Sequence, residues 1–203
     1  MTPVRTSRGK TPVRRRTLYG RRKGRPLRPG RQRLVEELLP RIRLPLARGG
    51  EEEPGDAGPP IEPLSLFTGE PPYPGGAAQP FGEVWLEVGF GAGEHLAAQA
   101  QAHPDVGFIG CEPFVNGVAA LLARIDRLKL NNIRIFDDDA RLVIDRLAPA
   151  SLARVFVLFP DPWPKSRHAG RRFISADTLD ALARAMAAGA ELRFATDDAT
   201  LLR

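Results

Sequence analysis

From residue 81 onward, short apolar runs alternate with longer runs whose apolar residues recur at helical spacing. The short runs are rich in β-branched and aromatic residues and predict five strands, at 84–88, 107–111, 133–136, 155–159 and 192–195. The longer runs predict four helices, at 94–102, 114–128, 141–147 and 176–188, with Ser175 capping the last. This alternation indicates an α/β fold with a mostly parallel sheet and helices on both of its faces.

The residues before this region lack the alternation and divide into a basic arm and a linker. Residues 1–48 carry 16 Lys and Arg against 2 Glu, whereas the rest of the chain carries 14 Lys and Arg against 22 acids. Because residues 1–33 are also rich in Gly and Pro, we expect residues 1–48 to form a basic, largely disordered arm, with one short helix over the apolar residues 34–42. Residues 49–80 hold 15 of the 40 Gly and Pro and predict a linker to a folded domain over 81–203.

The composition excludes several classes of protein. With Cys111 as the only cysteine, an intramolecular disulfide is impossible, and the three histidines show no zinc-ligand spacing. We therefore expect no metal and a reducing compartment, the cytoplasm. No apolar run approaches the roughly 18 residues of a membrane span, so we expect no membrane contact. The oligomeric state is left open, with a monomer favoured.

Three glycines follow the first predicted strand, in the sequence LEVGFGAGEH. Gly89, Gly91 and Gly93 allow a tight turn at a helix N-terminus, where the backbone can approach a ligand closely. A dinucleotide site requires a small residue where Glu94 stands, which disfavours a nicotinamide cofactor. Glu87, at the strand end, would repel a diphosphate and attract a cationic ligand. S-adenosylmethionine, which carries an ammonium and a sulfonium group, suits this loop better.

Acidic residues also follow the second, third and fifth predicted strands. Glu112 is placed where a carboxylate accepts hydrogen bonds from two ribose hydroxyls, which supports an adenosine ligand of either kind. The third strand is followed by three aspartates, which either favour the helix dipole or provide an acceptor for an adenine amino group. Asp139 is the candidate acceptor because Ala140 leaves room for a ring. Asp197 follows the fifth strand at the same edge of the sheet.

The segment after the fourth predicted strand, LFPDPWPKSRHAGRR at 158–172, is the most informative of the chain. Its prolines hold Asp161 on a stiff loop at the carboxyl edge of the sheet. Trp163 adds a flat aromatic face, followed by a basic cluster. The members of this cluster are Lys165, Arg167, His168, Arg171 and Arg172. Basic side chains around an aromatic ring suit an RNA backbone and a stacked base, although a solvated charged loop has the same composition.

Taken in order, these motifs resemble the bacterial tRNA (guanine-N7-)-methyltransferase family. The motifs are LEVGFGAGEH, GCEPF, DDDA, LFPDPWPKSRHAGRR and FATDD, which span residues 81–198, and the arm segment LYGRRKGRPLRPGRQ is a weaker match. The resemblance implies a Rossmann-like class I methyltransferase that transfers a methyl group from S-adenosylmethionine to N7 of a guanine in the tRNA variable loop. It also implies that the last strands of the family's sheet are missing here, so we expect a C-terminally truncated domain.

The resemblance further implies a role for each matching position. Asp161 would be the catalytic residue. The contacts to the methyl donor would be Glu87, Glu112, Asp139 and Asp161, around the glycine loop. The contacts to the substrate would be Lys165, Asp197 and the RNA-binding segment 167–172.

Three other functions remain open from the sequence. An exocyclic-amine methyltransferase is one, because the DPW sequence resembles the D-P-P-aromatic loops of such enzymes. A tRNA-binding protein with a non-productive donor site is another. A nicotinamide-dependent reductase is the third.

Overall fold

The computed structural model describes residues 20–48, 59–74 and 80–201. The remaining parts of the predicted arm and linker, at 1–19, 49–58 and 75–79, lie outside the described residues.

Five parallel strands form the central sheet, which confirms the predicted α/β class. The strands are β1 (Glu83–Val88), β2 (Val106–Cys111), β3 (Ile133–Phe136), β4 (Leu152–Leu158) and β5 (Met186–Ala195). Their order across the sheet is β3-β2-β1-β4-β5, and every pair of neighbours is parallel. The chain therefore changes direction across the sheet between β1 and β4. In Rossmann-like sheets, ligands bind beyond the carboxyl ends of the strands at this point.

Helices cover both faces of the sheet. They are α1 (Pro29–Glu37), α2 (Leu39–Ile42), α3 (Glu94–Ala102), α4 (Val115–Leu128), α5 (Ala140–Arg146) and α6 (Ala176–Ala185). Short 3-10 helices cover Pro63–Phe67, Ser166–Arg171 and Ala199–Leu201. One buried cluster lies between the sheet and α3 and α4, and a second lies between the sheet and α5 and α6. This two-sided burial explains why β2 is apolar and buried along its whole length.

The boundary between α6 and β5 differs from the prediction. The helix ends at Ala185 and the strand begins at Met186, where we expected a helix to 188 and a strand from 192. Residues 186–190 are rich in alanine, which favours a helix. Met186 instead pairs with Leu152 of β4, and Gly189 takes a φ of +80° beside the irregular register at that end of the ladder. Pairing with β4 thus overrides the local helix propensity.

Residues 20–48 pack against the domain, which corrects the expectation of a largely disordered arm for this part of the chain. The Val115 amide donates to the Arg22 carbonyl at 2.9 Å, and the Gly24 amide donates to Asn116 Oδ1 at 2.9 Å. Further along, the Leu44 amide donates to the Ile135 carbonyl of β3 at 2.8 Å. The segment thus lies over the start of α4 and then along the edge of β3.

The apolar residues at 38–44 explain this packing. Ile42 is fully buried in the cluster beneath α3 and α4, whereas Leu44 is buried in the cluster on the opposite face. The helix α2 ends at Ile42, and the extended backbone at Arg43 pairs with Ile135, so Leu44 reaches the other face and the segment covers the edge of β3.

Part of the predicted linker also belongs to the fold. Phe67 is buried, and its ring lies so close to Gly107 of β2 that a Cβ there would meet it at 2.8 Å. The Ile61 amide donates to the Arg146 carbonyl at 2.7 Å. Residues 61–67 therefore lie against the sheet and the end of α5.

We predict that Ile42→Ala destabilises the protein by about 2–5 kcal/mol, because it removes a buried side chain from a packed cluster. Leu64→Ala, which truncates a side chain that is 43% exposed, is the control and should change stability by less than about 0.5 kcal/mol. Urea unfolding followed by circular dichroism measures both. Equal and small effects of the two substitutions would show that the arm is not part of the cooperative fold.

Candidate functional site

A cavity of about 320 Å³ opens at the carboxyl ends of the strands, where the fold predicts a ligand. Its described lining contains four carboxylates, from Glu112, Asp138, Asp139 and Asp161. It also contains two guanidinium groups, from Arg141 and Arg171. The formal charge of the lining is therefore negative, which favours a cationic ligand.

The glycine loop after β1 forms one wall of the cavity. Gly89, Gly91 and Gly93 have φ angles of +70°, +57° and +76°, which residues with a Cβ rarely adopt. Of the three, Gly89 lines the cavity, and a Cβ there would meet nothing within 4 Å. The loop also packs closely on α4, since a Cβ at Gly117 would lie 2.3 Å from the Gly91 carbonyl oxygen. The predicted tight turn is thus present and faces open space at its first glycine.

Glu112 joins this loop to the start of α4. Its carboxylate accepts from the Gly91 amide at 2.9 Å and from the Phe114 amide at 2.9 Å. Burial raises the pKa of Glu112, the two amides oppose that shift, and the negative charge of Asp161 adds to it. Two carboxylates of the cavity are thus close enough to repel each other, and a bound cation would relieve the repulsion.

Asp139 begins α5 as its N-cap, where its carboxylate accepts from the Arg141 amide at 3.0 Å. The Arg141 guanidinium also donates to both carboxylate oxygens of Asp139. Asp139 therefore stabilises the start of a helix, which is one of the two roles that the sequence indicates for it. Asp139 and Ala140 nevertheless both line the cavity, as a contact to the adenine of the methyl donor requires.

The other two aspartates of the DDDA motif pair with arginines of the N-terminal segment. Arg22 donates to Asp138 Oδ1 at 2.6 Å, and Asp138 is 1% exposed. Arg43 Nε lies 2.8 Å from Asp137 Oδ1 as an ion pair without hydrogen-bond alignment, and Arg48 lies 3.6 Å from the other oxygen. The arginines of the N-terminal segment therefore offset the negative charge of the aspartates that follow β3.

Glu87 is not among the residues that line the cavity. Its side chain is 4% exposed, and Oε2 is 2.7 Å from His95 Nδ1 on α3. The His95 ring packs edge-on against Phe156, with 4.7 Å between ring centroids. Burial raises the pKa of Glu87, and the His95 hydrogen bond opposes that shift.

The loop after β4 places Asp161 at the cavity with its side chain exposed. The loop backbone is strained on both sides of Asp161, with φ angles of +51° at Phe159 and +42° at Trp163. Arg172 stabilises this conformation because its Nε donates to the Pro162 carbonyl at 3.1 Å. The stiff loop predicted from the prolines is thus present and is further held by a side chain.

The predicted basic cluster divides into two groups. Arg172 is directed at the loop backbone, and the Arg171 guanidinium lies 5.0 Å from the centre of the Trp163 ring. Lys165 and Arg167 are exposed, and Arg167 Nε donates to His168 Nε2 at 3.3 Å. The first group shapes the loop, whereas the second presents positive charge to solvent.

The structure brings some predicted site residues together and leaves others apart. Those in the cavity lining are Gly89, Glu112, Asp139, Asp161 and Arg171. Those outside it are Glu87, Gly91, Gly93, Lys165, Arg167, His168, Arg172 and Asp197. Trp163 and Ala140, which the sequence indicates as an aromatic face and as space for a ring, also line the cavity. Lining residues that we did not predict are Val88, Cys111, Pro113, Asp138, Arg141, Phe159, Pro160 and Phe173. Most of these residues are sequence neighbours of predicted site residues. Their place near the end of a strand is therefore the feature of the sequence that could have identified them.

Two further findings concern metals and membranes. Among the described residues, no three or more His, Cys, Asp or Glu side chains form a group that could hold a metal ion. Within the same residues, the helices are all too short or too polar to span a bilayer.

We predict that Glu87→Gln raises the free energy of unfolding at pH 7, because Gln keeps an oxygen for His95 but carries no buried charge. In the wild type, the raised pKa means that the folded protein holds the Glu87 proton more tightly than the unfolded chain does, so stability falls as pH rises through that pKa. The advantage of the variant should therefore shrink as pH falls toward 4.5, the unperturbed value.

Denaturant unfolding of both proteins between pH 4.5 and 7 measures this difference. Glu83→Gln, on the exposed start of the same strand, is the control, since Gln keeps an oxygen for the Trp85 Nε1 donor, and it should change stability by less than about 0.5 kcal/mol throughout. A constant difference between Glu87→Gln and wild type across this range would contradict the prediction.

Comparison with known proteins identifies close relatives. Residues 82–203 match the family described as "Putative methyltransferase". The chain is 49% identical over 181 residues to a tRNA (guanine-N(7)-)-methyltransferase of Paramagnetospirillum magneticum, covering 89% of this chain and 68% of that one. It is 49% identical over 185 residues to the protein of that name in Rhodospirillum rubrum, covering 91% and 66%. The chain thus spans about two thirds of the length of these relatives.

The solved structure of the antibiotic-resistance methyltransferase Kmr is similar to this chain with a TM-score of 0.45 and 23% sequence identity. The match covers 60% of this chain and 65% of that one. The family match and the two sequence relatives confirm the resemblance seen in the motifs. The chain belongs to the bacterial tRNA (guanine-N7-)-methyltransferase family.

Proposed function

We propose that this protein transfers a methyl group from S-adenosylmethionine to N7 of a guanine in the variable loop of tRNA. The observation that carries the proposal is the cavity with its excess of carboxylates, bordered by the Asp161 loop and next to exposed basic side chains. The names of the sequence relatives support the same substrate. Since tRNA is the proposed substrate, we propose the cytoplasm as the compartment and a monomer as the active form.

The residues of the cavity fit the proposed donor. A volume of about 320 Å³ lies within the range of roughly 300–1,000 Å³ typical of sites for small organic ligands. When bound, S-adenosylmethionine supplies an electrophilic methyl group on a cationic sulfur. Glu112 would accept from the ribose hydroxyls, Gly89 would allow close approach of the backbone, and the Asp139–Arg141 pair would border the adenine. Glu87, buried outside the lining and paired with His95, would favour the positive charge of the donor electrostatically.

Asp161 would act on the substrate side of the cavity. Guanine N7 has a free lone pair, so no proton has to leave before it attacks. The main task of the protein is then to hold the two reactants at attack distance. Methylation makes the ring cationic, and the carboxylate of Asp161 would stabilise that charge from its fixed position on the loop.

The exposed basic side chains next to the loop would hold the RNA backbone. Lys165 and Arg167 are exposed on the same loop as Asp161 and within six residues of it. Phosphate contacts of this kind fix the position of the nucleic acid without reading its sequence. We therefore propose that they orient the variable loop toward the cavity.

An exocyclic-amine methyltransferase is the second candidate, because the Asp161-Pro162-Trp163 sequence lines or borders the cavity as the D-P-P-aromatic resemblance requires. That reaction needs relief of an amine proton, whereas attack by N7 does not. Mapping the methylated atom of the product distinguishes the two reactions.

The proposed function is tested by transfer of a labelled methyl group to tRNA transcripts with guanine or with adenine at the variable-loop position. We expect incorporation into the guanine transcript alone, with the label on N7. Incorporation into an exocyclic amine would support the second candidate. A protein that binds tRNA but transfers nothing would overturn both.

In the same assay, Asp161→Ala should lower the turnover rate at saturating donor by roughly 100-fold, because it removes the charge that stabilises the cationic product. Its affinity for tRNA should stay unchanged. Asp180→Asn, which neutralises an exposed carboxylate on α6, is the matched control and should transfer at the wild-type rate. Wild-type turnover by the Asp161 variant would remove Asp161 from the mechanism.

Arg167→Ala should weaken tRNA binding and reduce the slope of log K against log salt concentration by about one, because one phosphate contact is lost. Arg127→Ala is the control, since Arg127 is an exposed arginine near the far end of α4. Filter binding over a range of salt concentrations measures both slopes. Equal slopes for the wild type and the Arg167 variant would exclude a phosphate contact at this position.

A further inference from the structure

Phe159 is an exposed aromatic side chain at the opening of the cavity. It is 65% exposed, the largest exposure among the large apolar side chains of the described residues. The next in order are Leu64 at 43% and Leu179 at 40%. Unlike these two leucines, Phe159 belongs to the lining of the cavity.

The backbone holds the ring in this position. Phe159 has a φ of +51°, which is unfavourable for a residue with a Cβ, and its amide donates to the Ala195 carbonyl of β5 at 2.7 Å. Pro160 then fixes the next φ angle. Strained residues of this kind persist where the surrounding structure holds them, and they are concentrated at ligand-binding sites. The exposure of Phe159 is therefore a property of the folded loop.

The other two aromatic rings of the lining already pack against protein groups. Trp163 has the Arg171 guanidinium 5.0 Å from its ring centre and the His168 ring edge-on at 5.7 Å. Phe173 is only partly exposed and packs against the core cluster beneath α5 and α6. Among the described residues, Phe159 is the one of these three rings that neither contacts another ring or a guanidinium group nor packs against a core cluster.

We propose that the Phe159 ring is the stacking platform for the target purine base once that base has left its own stack. The inference rests on the proposed function and deepens it. An enzyme that acts on a base inside folded RNA must take the base out of the stack, and an aromatic side chain then replaces the lost neighbour. Phe159 and Asp161 lie on either side of Pro160, so one short loop offers both an apolar face and a carboxylate to the base.

The test is a double-mutant cycle between this side chain and the base. Binding constants are measured for a tRNA transcript with the variable-loop guanine and for the same transcript with an abasic site at that position. Phe159→Ala keeps the Cβ and hence the backbone strain. Phe159→Trp keeps an aromatic face, whereas Phe159→Leu keeps an apolar side chain without one. Leu179→Ala, on α6, is the control for loss of an exposed apolar side chain.

We expect Phe159→Ala to weaken binding of the guanine transcript by roughly 5- to 150-fold and to leave binding of the abasic transcript unchanged. Phe159→Leu should weaken binding of the guanine transcript by most of the same factor. Phe159→Trp should bind that transcript as tightly as the wild type does. Leu179→Ala should bind both transcripts as tightly as the wild type does. Equal effects of Phe159→Ala on the two transcripts, or no effect on either, would overturn the proposal.

This result is independent of the transfer assay. Coupling between Phe159 and the base without methyl transfer by the wild type would support stacking and reject the proposed function. Transfer by the wild type without such coupling would support the function and reject stacking by Phe159.

Discussion

The structure depends on how negative charge is accommodated at the carboxyl ends of β2 and β3. Parallel strands bring Glu112 and the three aspartates of the DDDA motif to one edge of the sheet, and Asp138 and Asp139 are almost completely buried there. Buried charges are costly unless they are paired or hydrogen-bonded. Each of these acids accordingly has backbone amides or an arginine as a partner. The remaining negative charge faces the cavity, where a cationic ligand can balance it.

This requirement explains why the N-terminal segment belongs to the fold. Its high positive charge and its Gly and Pro content predicted disorder, because composition treats each charge as solvated. In the structure, Arg22 and Arg43 are the partners of Asp138 and Asp137, and Ile42 fills a buried cluster. The Arg22–Asp138 pair joins residues separated by 116 positions. No local pattern contains such a pairing, which is why the sequence did not predict it.

The strands, the helices and the glycine loop were predictable because each follows from a local rule: apolar periodicity, helix caps, or a backbone angle that only glycine adopts easily. The candidate site was predictable as positions after strands, but the directions of its side chains were not. The charge of Arg172 predicts an RNA contact, but in the structure its guanidinium donates to the Pro162 carbonyl. The position of Glu87 at a strand end predicts a contact to the methyl donor, but in the structure its carboxylate lies against His95. Orientation depends on the partners that the tertiary structure supplies.

The loop after β4 shows how the two halves of the site are joined. On one side it borders the acidic cavity, and on the other it presents Lys165 and Arg167 to solvent. A loop that no contact restrained could move, and Asp161 would then have to be repositioned at each turnover, at a cost in ordering entropy. The prolines between Phe159 and Trp163, the hydrogen bond from the Phe159 amide to Ala195 and the Arg172 contact to Pro162 instead hold the loop in its strained conformation before any ligand binds. Folding of the domain thus supplies the free energy that orders Asp161. The free energy of binding of the methyl donor and RNA is then not reduced by ordering of this loop.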